Sequence, residues 1–196
     1  MKIVSPGCVV SPGCTTGPFF PREFSDGSED LTRREGAVAR GEHILLTGRV
    51  LEAGAKPTWN MVLEIWQPDA AGIFRHPLDP RCAEADPGFW GWGRARTAKD
   101  GWYRFTTVLP GGYREQDGAL RRPHINYSVL GIGLTRRLVT TIFFAEEPDP
   151  VLDCVPAALR RRLVAQRDPS LDASGIPAYR FDVILRGDGE TPFFVD

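Results

Sequence analysis

The feature that most restricts this chain is a series of short apolar runs, each cut off by Gly, Pro or Asp. EHILLTGRVLEA (42–53), MVLEIWQPD (61–69), WYRFTTVLPGG (102–112), HINYSVLGIG (124–133), LVTTIFFAEE (138–147), AYRFDVILRG (178–187) and PFFVD (192–196) follow one another along the chain. Each is too short for a long helix and rich in β-branched and aromatic residues. In MVLEIWQPD, Val62, Glu64 and Trp66 alternate with Leu63 and Ile65, the period of two that sends neighbours to opposite faces of a strand. Strands at this spacing, separated by turn residues, predict an all-β sandwich or barrel. Gly and Pro, at 21 and 17 of 196 residues, are heavy for a helical protein and fit the same reading.

One segment predicts a helix. VPAALRRRLVAQRD (155–168) places Pro156 near its first turn and stops before Pro169, as helix starts and ends do. Leu159, Leu163 and Val164 share a face, and Arg160, Arg161 and Arg162 spread towards solvent. Two stretches read as irregular. Residues 1–41 form an N-terminal arm, leaving 42–196 as the folded domain. Residues 67–93 are rich in proline and aromatic side chains, and a loop that long is usually functional or wraps a neighbour.

Composition removes several function classes. A net charge of −1 offers no field for nucleic acid or an anionic membrane. No apolar run approaches the ~18 residues of a membrane span. The first residues lack the apolar core of a signal peptide, so a cytoplasmic location with reduced thiols is expected. Cys8 and Cys14 sit in a short duplication, SPGC-VV-SPGC, read as two free thiols on the arm. Neither a Gly-rich phosphate loop nor a G-x-S-x-G elbow is present.

RRPHINYSV (121–129) carries the one constellation with chemistry in it. On a strand, His124 and Asn126 lie on one face. A histidine at 126 would set two imidazoles on one ion. Upstream, PGGY presents Tyr113 after a strand end, and AGIFRHP presents Phe74 on the long loop. A phenol at 74 and an imidazole at 126 would complete two Tyr and two His, a set suited to ferric iron, whose charge strips phenolic protons despite a reference pKa of about 10. Two of the four positions are intact. A lone Tyr and His would hold ferric iron weakly, and His124 is then expected as a buried histidine bonded to Asn126 or Tyr113.

TTGPFFP, GEHILLTGRV, LEIWQPDAAGIF, RPHINYSV, AYRFDVILRG and GDGETPFF together resemble the intradiol ring-cleavage dioxygenases, most closely their α subunits of the protocatechuate 3,4-dioxygenase type. The resemblance runs from about residue 15 to residue 194. It implies a β-sandwich of mixed sheets with an extended arm and one short C-terminal helix. It implies an αβ protomer, assembled into a larger oligomer, that inserts both atoms of O₂ into a catechol. It places Fe(III) on a homologous catalytic β subunit and leaves Phe74, Tyr113, His124 and Asn126 here as a vestigial iron site. An Arg of the catalytic chain would match Arg122, and a Gln would match Thr141. Thr15, Thr16, Gly17 and Pro18 would wall the partner's substrate pocket. Phe19, where a tyrosine is common, and Ile132, where some α subunits carry an Arg, depart from the pattern and leave the substrate's carboxylate recognition open, with Arg136 or Arg137 as substitutes. Two other readings stand beside this one. A homomeric enzyme would use Tyr113 and His124 with His76. A β-sandwich binding module would have lost both chemistry and partner.

Overall fold

The computed structural model describes residues 20, 27–131 and 133–194. Thr15, Thr16, Gly17, Pro18, Phe19, Ile132, Cys8 and Cys14 therefore lie outside the described residues. After a small ribbon of β1 (Arg33–Arg34) and β2 (Ala37–Val38), the chain enters the long strand β3 (His43–Glu52) and returns through β4 (Lys56–Pro57). β5 (Val62–Trp66), β6 (Trp92–Arg96) and β7 (Trp102–Val108) follow, then the paired short strands β8 (Tyr113–Arg114) and β9 (Leu120–Arg121). β10 (His124–Leu130) and β11 (Leu138–Phe143) form a hairpin, and β12 (Gln166–Arg167), β13 (Ala178–Arg180) and β14 (Val183–Ile184) close the chain.

Two sheets result. One has the order β11-β10-β5-β6; the other is mixed and built on β3, which pairs antiparallel with β7 and parallel with β13 and β14. Alternation decides what faces inward. Leu46 and Val50 of β3, Leu63 and Ile65 of β5, Phe105 of β7 and Ile125, Tyr127 and Val129 of β10 are fully buried in one core between the sheets. This is the sandwich expected from the spacing of the runs.

Three details depart from the strand pattern. AYRFDVILRG is two strands, because Phe181 crosses β3 at Gly48, where a Cβ would sit 2.0 Å from the Phe181 carbonyl oxygen. The close approach is open only to glycine. WGRAR (92–96), which reads as the end of a loop, is an edge strand paired with β5. Residues 28–41 reach further inward than an arm would: Leu31 and Ala39 belong to the core, and Asp30 bridges Thr106 of β7.

The expected helix is short. It spans α2 (Ala157–Arg160) and a 3-10 turn, Arg161–Leu163, preceded by a further turn, α1 (Pro150–Asp153). Val164 then bridges Phe143, and the Ala165 amide donates to the Phe143 carbonyl. That pairing pulls the chain into extended form before the helix completes a second turn. Leu163 still points inward with Phe143, Leu152 and Val155, and Arg161 and Arg162 remain exposed. Among the described residues no helix is long and apolar enough to cross a membrane.

Candidate functional site

The long loop is pinned by buried polar groups, which is how it holds a fixed shape without regular structure. The Asp69 carboxylate accepts from the Ala71, Ile73 and Asp86 amides. Gln67 donates to the Val108 carbonyl and accepts from Thr107, tying the loop's start to β7. Gly72, at φ +75°, lies so close to the 111–112 turn that a Cβ would stand 2.2 Å from the Gly112 oxygen. That contact brings Phe74 to Tyr113, with ring centres 5.2 Å apart and nearly perpendicular.

The row continues inward. Tyr113 lies 5.6 Å from the His124 ring, and His124 lies 5.9 Å from Phe143. Asn126 sits on the same face of β10, in register with Trp66 of β5 on one side and Thr141 of β11 on the other. The structure thus brings Phe74, Tyr113 and His124 into one cluster and sets Asn126 beside it. Outward, Trp66, Phe74, His76, Arg81, Tyr113 and Arg114 line an open cleft of about 670 Å³. His76 stacks against Trp66, and its Nδ1 accepts from the Leu78 amide.

His124 is buried, and its hydrogen bonds differ from those expected. Neither goes to Asn126 or Tyr113. Nδ1 is 2.6 Å from the Arg122 carbonyl oxygen, which only accepts, so Nδ1 carries the proton. Nε2 then presents its lone pair to Arg121, whose Nη2 lies 3.4 Å away. The Arg121 guanidinium uses each of its nitrogens: Nε donates to Asp149 at 3.1 Å, Nη1 to Glu115 at 2.8 Å, and Nη2 to His124. Asp149 is also held by the Arg122 and Val151 amides. Arg122, the arginine expected at the site, turns its side chain away to Glu147 and the Pro148 carbonyl. Arg121 is the residue that the sequence reading missed. Its pairing with Tyr113 across β8 and β9 was the available signal; Asp149 lies too far along the chain to be seen.

The electrostatics follow from burial. Burial lowers the pKa of His124; the Arg122 carbonyl opposes this and the Arg121 charge adds to it, so the imidazole stays neutral. Burial raises the Tyr113 phenol, with Arg121 opposing and Glu115 and Asp149 reinforcing. The phenol stays protonated.

Comparison with known proteins places this arrangement. A family model described as "Dioxygenase" matches residues 15–187. The protocatechuate 3,4-dioxygenase alpha chain of Burkholderia cepacia is 36% identical, over 92% of this chain and 94% of its own length. The chain belongs to the intradiol ring-cleavage dioxygenases. The beta chain from the same organism is 40% identical over 78% of this chain and 68% of its own length. In fold, this intradiol dioxygenase chain matches catechol 1,2-dioxygenase from Acinetobacter sp. ADP1, with a TM-score of 0.60 at 25% identity, covering 86% of this chain and 60% of the other.

Enzymes of this family use Fe(III), an ion that the four positions would have to hold. Phe74 has no donor atom. Asn126 offers a neutral amide, a weak ligand for a hard trivalent cation. The His124 lone pair faces an Arg121 N–H. Among the described residues no three His, Cys, Asp or Glu side chains converge as ligands do. This donor set does not fit a ferric ion.

Proposed function

We propose that this chain is the α-type subunit of a protocatechuate 3,4-dioxygenase and holds no iron of its own. The replacement of two donors, at Phe74 and Asn126, carries the reading. The match to an alpha chain over nearly the full length of both proteins supports it. Cleavage of 3,4-dihydroxybenzoate between its hydroxylated carbons, with both atoms of O₂ entering the product 3-carboxy-cis,cis-muconate, takes place at a ferric site on a homologous β subunit. Thr15, Thr16, Gly17 and Pro18, on the arm that precedes the packed residues 28–41, wall that subunit's substrate pocket. The αβ unit assembles further and works in the cytoplasm, without nucleic acid or membrane.

The surface supports a partner of this kind. Trp66, Trp90 and Trp92 are 44%, 49% and 42% exposed, and Leu78 is 82% exposed. Large apolar side chains left exposed in this way are what a permanent interface covers. Phe89, from the same loop, belongs to the core, at 3% exposure.

One observation favours a second reading. Tyr113 and His124 remain adjacent, as a self-sufficient homomeric enzyme would need. Iron per chain and the visible spectrum, measured on the chain alone and on a complex co-expressed with a β-type chain, decide between them. A phenolate-to-iron absorption band in the complex alone is the expected result. Stoichiometric iron and colour in the lone chain would sink the α-subunit reading.

A further inference from the structure

The positions that no longer suit a metal ion are not empty of charge. Two carboxylates and an imidazole lone pair meet the three nitrogens of one side chain, the Arg121 guanidinium. The Asp149 side chain is fully buried and that of Arg121 is 9% exposed. Glu115 closes the solvent side at 2.8 Å. Glu115 beyond β8, Arg121 on β9 and His124 on β10 meet there with Asp149, which comes from further along the chain at the start of α1. Holding distant segments together by drawing their donors to one positive centre is the structural work of a bound metal. A planar guanidinium does it with directional N–H bonds in place of coordination. Its Cζ also lies 6.0 Å from the centre of the Tyr113 ring, within reach of that ring's electron-rich face.

We propose that Arg121 is the resident cation of this site: it takes the His124 lone pair and the Asp149 and Glu115 carboxylates, and so organises the vestigial centre without metal. The three donors spread around the edge of a flat ion and do not converge on one point, so they offer an incoming metal no shared position. Arg121 is a positioning residue here, acting on the orientation of His124 and on the docking of the β8–β9 ribbon. The inference rests on the metal-free reading but fails separately from it. Iron found in the lone chain defeats both, whereas the arginine substitutions below defeat only the inference.

The test begins on the unaltered full-length chain. A long-range proton–nitrogen NMR spectrum is expected to show His124 with a protonated Nδ1 and a bare Nε2, unchanged when Co²⁺ is added to about 1 mM. A proton on Nε2, or paramagnetic shifts at His124, would overturn the proposal. Arg121→Met and Arg121→Lys form the second arm. In Arg121→Met, the Nε2 resonance of His124 shifts as it loses its N–H partner while the Arg122 carbonyl keeps the proton on Nδ1, and the amides of residues 113–121 exchange at least about tenfold faster, a modest share of what losing one partner of a buried ion pair costs. Arg121→Lys keeps a positive charge in reach of the same carboxylates and restores most of the protection. If the methionine variant matches the parent in both the His124 Nε2 resonance and amide exchange, Arg121 is not what organises the site. Should that variant fail to fold, the Nε2 resonance of the unaltered chain still decides, because an accepted Arg121 hydrogen bond moves it away from that of an unbonded imidazole nitrogen and an unshifted resonance would overturn the proposal.

Discussion

Asp149 shows how much one residue does at this site. Its carboxylate accepts from the Arg122 and Val151 amides and faces the Arg121 guanidinium. Burial alone would raise its pKa; the two amides and the arginine outweigh that and hold it below the usual carboxylate range. The sign of the resulting pH dependence follows. A depressed folded-state pKa gives stability that is complete above the unfolded value, near 3.9, and is lost as pH falls through the folded value. Asp149→Asn keeps an acceptor for the amides but removes the charge that neutralises a buried arginine. We expect a loss of about 3 kcal/mol at neutral pH, the lower end for one broken buried pair. Urea unfolding of both proteins from about pH 6 to pH 3 checks this, and the gap between them should narrow as the medium becomes more acid. A gap that stays constant would mean that the ionised carboxylate is not its source. Gly72 makes a second residue-scale case. At φ +75° and 2.2 Å from the Gly112 oxygen, Gly72→Ala has to push the loop off the 111–112 turn. The expected outcome is a loss of about 1–3 kcal/mol, read by thermal unfolding, with the Phe74–Tyr113 contact opened in a crystal structure.

At the level of elements, the strands were legible because each obeys a local rule. HINYSVL alternates and forms a strand whose inward residues are the ones the alternation selects, while HILLTGRVLE, with its apolar run ILL, forms a central strand buried on both faces over residues 44–48. What was not legible depends on partners far along the chain. Nothing in AYRFDVILRG announces that it breaks at Phe181; the break comes from Gly48, on a strand well over a hundred residues earlier. Nothing in the helical pattern of 155–168 announces that Phe143 captures Ala165. The site divides the same way. His124, Asn126, Tyr113 and Phe74 were found because they sit in short motifs. The Arg121–Asp149 pair was missed because its members meet only through tertiary packing. The β3 crossing gives this scale its prediction. Gly48→Ala drives a methyl group into the Phe181 carbonyl, so β13 and β14 cannot both keep their parallel register on β3. Overpacking of this kind costs about 1–3 kcal/mol. Amide exchange should show protection lost in residues 178–184 before it is lost in β10. Equal loss throughout would mean that the crossing is not a separate weak point.

For the whole molecule, the question is what covers the tryptophan surface. Trp66 and Trp92 stand opposite each other across β5 and β6, and β6 is the edge of its sheet. Arg94 lies over the Trp92 ring at 4.6 Å and pairs with Glu64, so the charges of this surface are already matched and its aromatic faces are what a partner would gain. Large aromatic side chains at the centre of an interface carry a disproportionate share of binding energy. If the surface meets a homologous β chain, the lone subunit should show tryptophan emission typical of water-exposed indole, shifted to shorter wavelength in the complex. Trp66→Ala with Trp92→Ala should weaken pairing at least about tenfold, equivalent to 1.4 kcal/mol, measured by titration calorimetry with the purified β chain. Thermal stability of the lone subunit should change little, because both side chains are substantially exposed before pairing. Unchanged affinity in the double variant would place the partner on another face and leave these tryptophans without a role in assembly.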